Sequence, residues 1–245
     1  MAAPRFFVPI DLAPDAAGRA IELPAAAAHH AMRVLRLAIG DALTLFTGAG
    51  GEYAATLVAA DRRGATVRID AFDPVERESA LAVTLAQGVA ANDAMDYAIR
   101  KAVELGVAAI QPLATERSAP LPAGDRGDKR LLHWRQIAVA ACEQCGRNRV
   151  PDVAPARSIG EWLAAWSGPG FVLVPDGMAS LSAIGAPAAP PGLLVGPEGG
   201  LSAREIDAAT ACGFTRLRLG PRILRTETAG VVALAVMQAT WGDLR

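Results

Sequence analysis

Three glycine-rich turns follow apolar, strand-like stretches in the last third of the chain. They are Leu173-Val174-Pro175-Asp176-Gly177, Gly196-Pro197-Glu198-Gly199-Gly200 and Leu219-Gly220-Pro221-Arg222-Ile223-Leu224-Arg225. Ligands of open α/β sheets settle outside the carboxyl ends of strands. Glycine there lets backbone N–H and C=O groups approach a ligand closely. Three such turns at neighbouring strand ends can line one cleft. Two cations, Arg222 and Arg225, and two carboxylates, Glu198 and Glu227, stand in or beside these turns. Groups of this kind can move a proton and balance a developing charge. Structural salt bridges and helix-end contacts account for the same residues, because Glu198 and Glu227 lie beside predicted helix N-termini. Neither the phosphate loop G-x-x-x-x-G-K-[ST] nor the dinucleotide fingerprint G-x-G-x-x-G occurs. Pattern alone therefore stops at an α/β site for a nucleotide-like ligand.

The elements that must position these turns fall into two parts. Residues 1–73 read as mostly β. Arg5–Val8, Ala42–Thr47, Glu52–Ala59 and Thr66–Phe72 are β-prone, with turns at Gly48–Gly51 and Asp61–Gly64 and a short helix between Pro24 and Leu37. This is the pattern of a small β-barrel. The polar stretch Asp73–Ser79 is the expected linker. Strands and helices then alternate through residues 74–245, which predicts a parallel sheet covered on both faces. Helices are expected from Asn92, as cap, to Leu105, and over Asp128–Cys145, Ile159–Trp166 and Thr226–Trp241. Another runs from Ser202 to Cys212, with Glu205 placed to complete a capping box. Strands are expected at Leu81–Gln87, Val107–Leu113, Phe171–Pro175, Leu193–Val195 and Thr215–Leu219.

Bulk properties narrow the class. The chain has 245 residues, of which 52% are hydrophobic, enough to bury a core. Net charge is −1, without the basic excess common in RNA-binding proteins, yet the charge is clustered. Seven basic residues against three acids lie between Arg126 and Arg157, and Arg216, Arg218, Arg222 and Arg225 meet no acid before Glu227. Local patches of this kind can hold phosphate although solvated helix faces give the same pattern. Three cysteines argue against a disulfide framework and fit a reducing cytoplasm. Cys142 and Cys145 form C-x-x-C, but no second Cys/His pair has metal spacing, so no metal is expected. Met1–Ile10 lacks the long apolar core of a signal peptide. No apolar run reaches ~18 residues, so no membrane partner is expected either.

The two C-terminal motifs, LLVGPEGGLSAREI (Leu193–Ile206) and LGPRILRTETAG (Leu219–Gly230), resemble the signature of the SPOUT methyltransferases. Within that class the chain resembles the RsmE family, the uridine-N3 methyltransferases of bacterial small-subunit (16S) ribosomal RNA. Similar stretches are RFFV (Arg5–Val8), HHAMRVLRLAIGD (His29–Asp41), RKAVELGV (Arg100–Val107), TERS (Thr115–Ser118) and WRQIAVAACEQCGRNRVPDV (Trp134–Val153). They run from residue 5 to the end. EQCGRNRVP with the two C-terminal motifs carries most of the specificity.

This resemblance implies a PUA-like, RNA-recognising β-barrel at residues 1–73. It implies an α/β SPOUT domain with a trefoil knot at 74–245, which binds S-adenosyl-L-methionine (AdoMet) and forms a homodimer. The implied cofactor site comprises Leu173, Val174, Pro175, Gly196, Pro197, Glu198, Gly199, Gly200, Leu219, Gly220, Ile223, Leu224, Arg225 and Thr228. Arg225 and Glu198 are the expected catalytic residues. His30, Arg33, Arg36, Arg147, Arg149 and Arg222 are the expected RNA contacts. The partners implied are 16S ribosomal RNA of the small ribosomal subunit and a second copy of the chain. The family pattern departs at Ala90-Ala91, where a lysine is usual, so that lysine's role does not carry over. Other readings are a different knotted enzyme, such as a transfer-RNA ribose 2′-O-methyltransferase, and a non-catalytic RNA-binding module. The β-prone module at Arg5–Phe72 and EQCGRNRVP favour the uridine-N3 family over the former, and the intact glycine-rich loops argue against the latter.

Overall fold

Along Ala65–Asp73 the backbone buries Ala65, Val67 and Ile69 and turns Arg68 and Asp70 to solvent, the period of two of a strand with one face on a core. Glu52–Ala60 likewise directs Tyr53, Ala55 and Leu57 inward. These strands are β5 and β4 of the first sheet in a computed structural model describing residues 3–62, 64–120 and 124–244. With β1 (Arg5–Phe7), β2 (Ala20–Glu22) and β3 (Ala42–Phe46) they run in the order β1-β3-β4-β5-β2. β1 lies parallel to β3, and the other neighbours are antiparallel. The sheet is an open path with β1 and β2 at its edges, where the sequence pattern led us to expect a closed barrel. The turn expected at 61–64 is closed by Asp61 and Gly64, each N–H donating to the other residue; residue 63 lies outside the described residues.

The core of this unit gathers Phe6, Val8, Leu43, Leu45, Leu57, Val67 and Ile69. Tyr53 is buried beside it and donates its hydroxyl to the Leu12 carbonyl at 2.6 Å. The single short helix expected after Pro24 is instead composite. α1 (Ala25–His29) passes into a π-helical turn, His30–Val34, and Arg36 follows in the left-handed region at φ 56°. The unit comprises residues up to Glu78 together with Cys142–Val150. A division at residues 73 and 74 leaves that later segment out.

The second unit, Ser79–Ala141 with Pro151–Arg245, is built on parallel strands. They are β6 (Thr84–Gly88), β7 (Ala109–Ala114), β8 (Asp152–Val153), β9 (Arg157–Ser158), β10 (Gly170–Leu173), β11 (Gly192–Val195) and β12 (Phe214–Leu217). Their order is β12-β10-β11-β6-β7-β8, with β9 also on β7. β11 is buried throughout and β6 nearly so, as strands covered on both faces must be. The chain steps from β6 out to β7, returns on the other side to β10, lays β11 into the gap and finishes at β12. The carboxyl ends of β6, β10, β11 and β12 therefore open side by side where strand order reverses.

The helices are α2 (Asn92–Glu104), α3 (Asp125–Cys145), α4 (Ile159–Ala165), α5 (Ala203–Ala211) and α6 (Thr226–Trp241). Ala91, not Asn92, is the N-cap of α2, which shifts that boundary by one residue. α5 has the full capping box, with Ser202 accepting from the Glu205 N–H while Glu205 accepts from that of Ser202. Ser158 and Glu161 make the same box at α4, which the spacing S-x-x-E also encodes. α6 buries Thr226, Gly230, Ala233, Leu234, Met237 and Gln238, but leaves Val231, Val232 and Ala235 partly exposed and Val236 exposed. Among the described residues no helix is long and apolar enough to cross a membrane.

Candidate functional site

One cleft of about 1080 Å³ opens at these strand ends. Leu173, Val174 and Pro175 at the end of β10, Gly196–Gly200 after β11, and Leu219, Gly220, Ile223, Leu224, Arg225 and Thr228 after β12 all line it. The structure thus gathers every residue expected at the cofactor into one site. The cleft also takes in residues the sequence did not single out: Asp93, Ala94 and Tyr97 of α2, and Arg117 of the TERS stretch.

The loops are held at defined spacing by short, directed contacts. A Cβ on Gly196 would lie 2.8 Å from the Leu201 nitrogen and 2.9 Å from the Gly200 carbonyl carbon, so only glycine fits. The Gly196 carbonyl accepts from the Thr226 hydroxyl at 2.5 Å and from the Gln87 amide at 3.3 Å, and Gln87 also donates to Thr226 at 2.9 Å. Gln87 and Thr226 are both buried, so the start of α6, the end of β6 and the first glycine loop are tied at one point. The signal for Gln87 was a lone amide inside the apolar run Leu85–Val89. Arg117 Nη1 donates to the Gly199 carbonyl at 2.9 Å and reaches the Leu201 carbonyl at 3.4 Å. Glu198 accepts from the Ala91 N–H at 2.6 Å, which places its carboxylate at the start of α2, where the helix dipole favours negative charge.

The cations of the third loop are differently placed. Arg225 and Arg222 are exposed, and neither guanidinium has an ion pair or hydrogen bond to another described residue. The Arg225–Glu227 bridge that a purely structural role would need is not formed. Glu227 and Asp93 line the same cleft and are likewise unpaired among the described residues. The cleft therefore presents apolar walls, backbone groups at glycine turns, free guanidinium and free carboxylate. These fit a nucleoside carrying an amino-acid tail, and no group of three or more His, Cys, Asp or Glu is arranged as metal ligands among the described residues.

Of the expected RNA contacts, Arg222 lies in this cleft and the other five lie in the first unit. His30, Arg33 and Arg36 are exposed on and after the π-helical turn, and His30 meets Phe6 edge-on. Arg147 must be withdrawn from that group. It is 4% exposed, and its guanidinium is held by both carboxylate oxygens of Glu78, Nε at 2.9 Å and Nη2 closer still, so a phosphate cannot reach it. Arg149 pairs with Glu76 at 2.7 Å but remains half exposed.

The surrounding EQCGRNRVP motif acts as a clasp within the first unit. Glu143 accepts from the Phe7 N–H at 3.0 Å, Asn148 accepts from Arg5 at 2.5 Å, and Arg77 donates to the Gly146 carbonyl at 3.1 Å. Asp73–Ser79, expected as a linker, is the partner that Arg147 and Arg149 grip through Glu78 and Glu76. Cys142 is a buried free thiol, pushed by burial to about 12, which removes it from thiolate chemistry.

Two family models match the chain: an RNA methyltransferase domain over residues 77–238 and an RNA methyltransferase PUA domain over residues 23–70. A protein of Synechocystis sp. named ribosomal RNA small subunit methyltransferase E is 35% identical, over 89% of this chain and 73% of its own. The solved ribosomal RNA small subunit methyltransferase E of Neisseria gonorrhoeae, bound to S-adenosyl methionine, is similar with a TM-score of 0.92 and 37% identity over the whole of both chains. A Legionella pneumophila structure in complex with the cofactor SAM is similar with a TM-score of 0.95 and 36% identity, again over both whole chains. The chain has a PUA-like N-terminal part and an α/β methyltransferase part, and it belongs to the family of ribosomal RNA small subunit methyltransferase E.

Proposed function

We propose that this protein transfers the methyl group of AdoMet to N3 of a uridine in the RNA of the small ribosomal subunit. The observation that carries the reading is the strand-end cleft, in which glycine turns meet an unpaired Arg225. When bound, the cofactor supplies an electrophilic methyl group on sulfur. Gly196–Gly200 and Leu219–Thr228 bind it through backbone groups, and Leu173–Pro175 supply apolar wall. Uracil N3 carries a proton in the neutral base, so its lone pair becomes available only as that proton leaves. Negative charge then spreads over N3 and the flanking carbonyl oxygens. The Arg225 guanidinium stabilises this charge with directed N–H donors. Asp93 and Glu227 are the free carboxylates of the cleft able to take the proton, whereas Glu198, expected to be catalytic, serves to position its loop on α2.

Recognition of RNA falls to the exposed basic groups His30, Arg33, Arg36, Arg149 and Arg222, with residues 1–73 as the recognition part. A homodimer is supported by the apolar residues of α6 that one chain leaves uncovered, and a cytoplasmic location by the ribosomal RNA for which the similar proteins are named. A trefoil knot in the C-terminal part is supported by the two signature motifs and by the insertion of β11 between β10 and β6. The reading is tested by mass spectrometry of small-subunit ribosomal RNA nucleosides from cells lacking the protein. Loss of one N3-methyluridine, restored on re-expression, is expected. Unchanged N3-methyluridine, or loss of a ribose 2′-O-methyl group instead, would overturn it.

A further inference from the structure

Tyr97 is the single aromatic residue among the described residues that line the cleft. It lies on α2 with Asp93 and Ala94, at spacings that put all three on one helix face. Its side chain has no core role. Tyr53 shows what a structural tyrosine does in this chain: it is 2% exposed and its hydroxyl is bound to the Leu12 carbonyl. Tyr97 is 42% exposed, and its hydroxyl makes no hydrogen bond to another described residue. The cleft, at about 1080 Å³, is at the upper end of the roughly 300–1,000 Å³ range of small-ligand sites. The glycine turns make up one part of the lining and the α2 face another. Of the other side chains on that second part, Asp93 is a carboxylate and Ala94 is small; Arg117, which lies outside α2, is engaged by backbone carbonyls.

We infer that the Tyr97 ring is the platform on which the extruded target pyrimidine stacks. The inference rests on the methyltransferase reading above and adds the seat of the RNA base to it. A base whose N3 is to react must leave any Watson–Crick pair and so loses its stacking neighbours. An exposed phenol ring replaces one of them. Stacking uses the π face alone, so the hydroxyl is dispensable.

The test compares Tyr97→Phe, Tyr97→Leu and Tyr97→Ala with the natural enzyme. Small-subunit RNA from cells lacking the protein is titrated in single-turnover methylation at saturating AdoMet. AdoMet affinity by calorimetry, melting temperature and light scattering are measured on the same samples. The phenylalanine variant is expected to stay within about twofold of wild type in kcat/KM for RNA. The leucine and alanine variants are expected to lose on the order of 10- to 100-fold while keeping AdoMet affinity, fold and oligomeric state. Wild-type rates in the leucine variant would overturn the inference, since a ring would then not be needed. Weakened AdoMet binding would place the ring against the cofactor, and an altered oligomeric state would place it against another copy; either result overturns it too. If the natural enzyme forms no N3-methyluridine, the underlying reading falls and this one with it. Product from the natural enzyme with an unaffected leucine variant removes the platform alone.

Discussion

The clasp of the first unit and the cleft of the second are both rich in arginine, and they use it in opposite ways. Arg147, Arg149, Arg77 and Arg5 each meet a carboxylate. Arg222 and Arg225 meet none among the described residues, although Glu227 is two positions from Arg225. A guanidinium with its partner in place stabilises the fold; one kept without a partner at a glycine turn is available to a ligand. Abundance of basic residues does not separate the two cases, whereas the presence of a partner does.

The sharpest way to break the comparison is at Arg147. Arg147→Ala leaves Glu78 with an uncompensated, largely buried charge, and such a change costs about 3–5 kcal/mol. Urea unfolding followed through amide signals of β3–β5 should report that loss, while AdoMet affinity in the second unit stays near wild type. Unchanged unfolding would mean that the clasp contributes nothing. Arg225→Ala should behave in reverse. Loss of one preorganised donor lowers the methylation rate on the order of 10²–10³-fold. Melting temperature and AdoMet affinity should hold, and a normal single-turnover rate in folded protein would sink the catalytic role.

The smallest effect is expected from pH. Burial pushes Glu52 up, but hydrogen bonds and charge from Arg77 and Arg5 outweigh it and bring the carboxyl to about 2. A carboxyl lowered on folding contributes stability above its unfolded pKa of about 4.3, and loses it as pH falls toward the folded value. The first unit should therefore weaken between about pH 4.5 and 2. Glu52→Gln should flatten that limb of an acid titration. Identical acid limbs for the two proteins would show that the Arg5–Glu52–Arg77 cluster contributes no pH dependence.

Local chemistry made much of the second unit readable. Glycine turns at strand ends, the Ser202–Glu205 box and the bounds of α6 are all encoded within a few residues of where they act. What escaped depends on distance along the chain. Arg147 and Glu78 are 69 positions apart, and nothing near Arg147 signals that it will be buried. Thr226 and Gln87 are 139 apart. β2 is three residues long and pairs with β5 far downstream, so no periodicity could reveal it. The open edges of the first sheet escaped for the same reason, because alternation marks the face of a strand and not its neighbours.

The late position of the clasp has a consequence for synthesis. The first sheet ends at Asp73, but the Glu143 carboxylate that accepts the outward N–H of Phe7 is made about 70 residues later. At translation rates of about 5–20 residues per second the nascent chain spends about 4–14 seconds with β1 as an uncovered edge strand. An uncovered edge is a template for pairing with other chains. The N-terminal sheet therefore emerges with its hydrophobic core encoded and its border open, and ribosome-bound chains stalled before residue 143 are where edge-seeking chaperones, or aggregation, would find this protein.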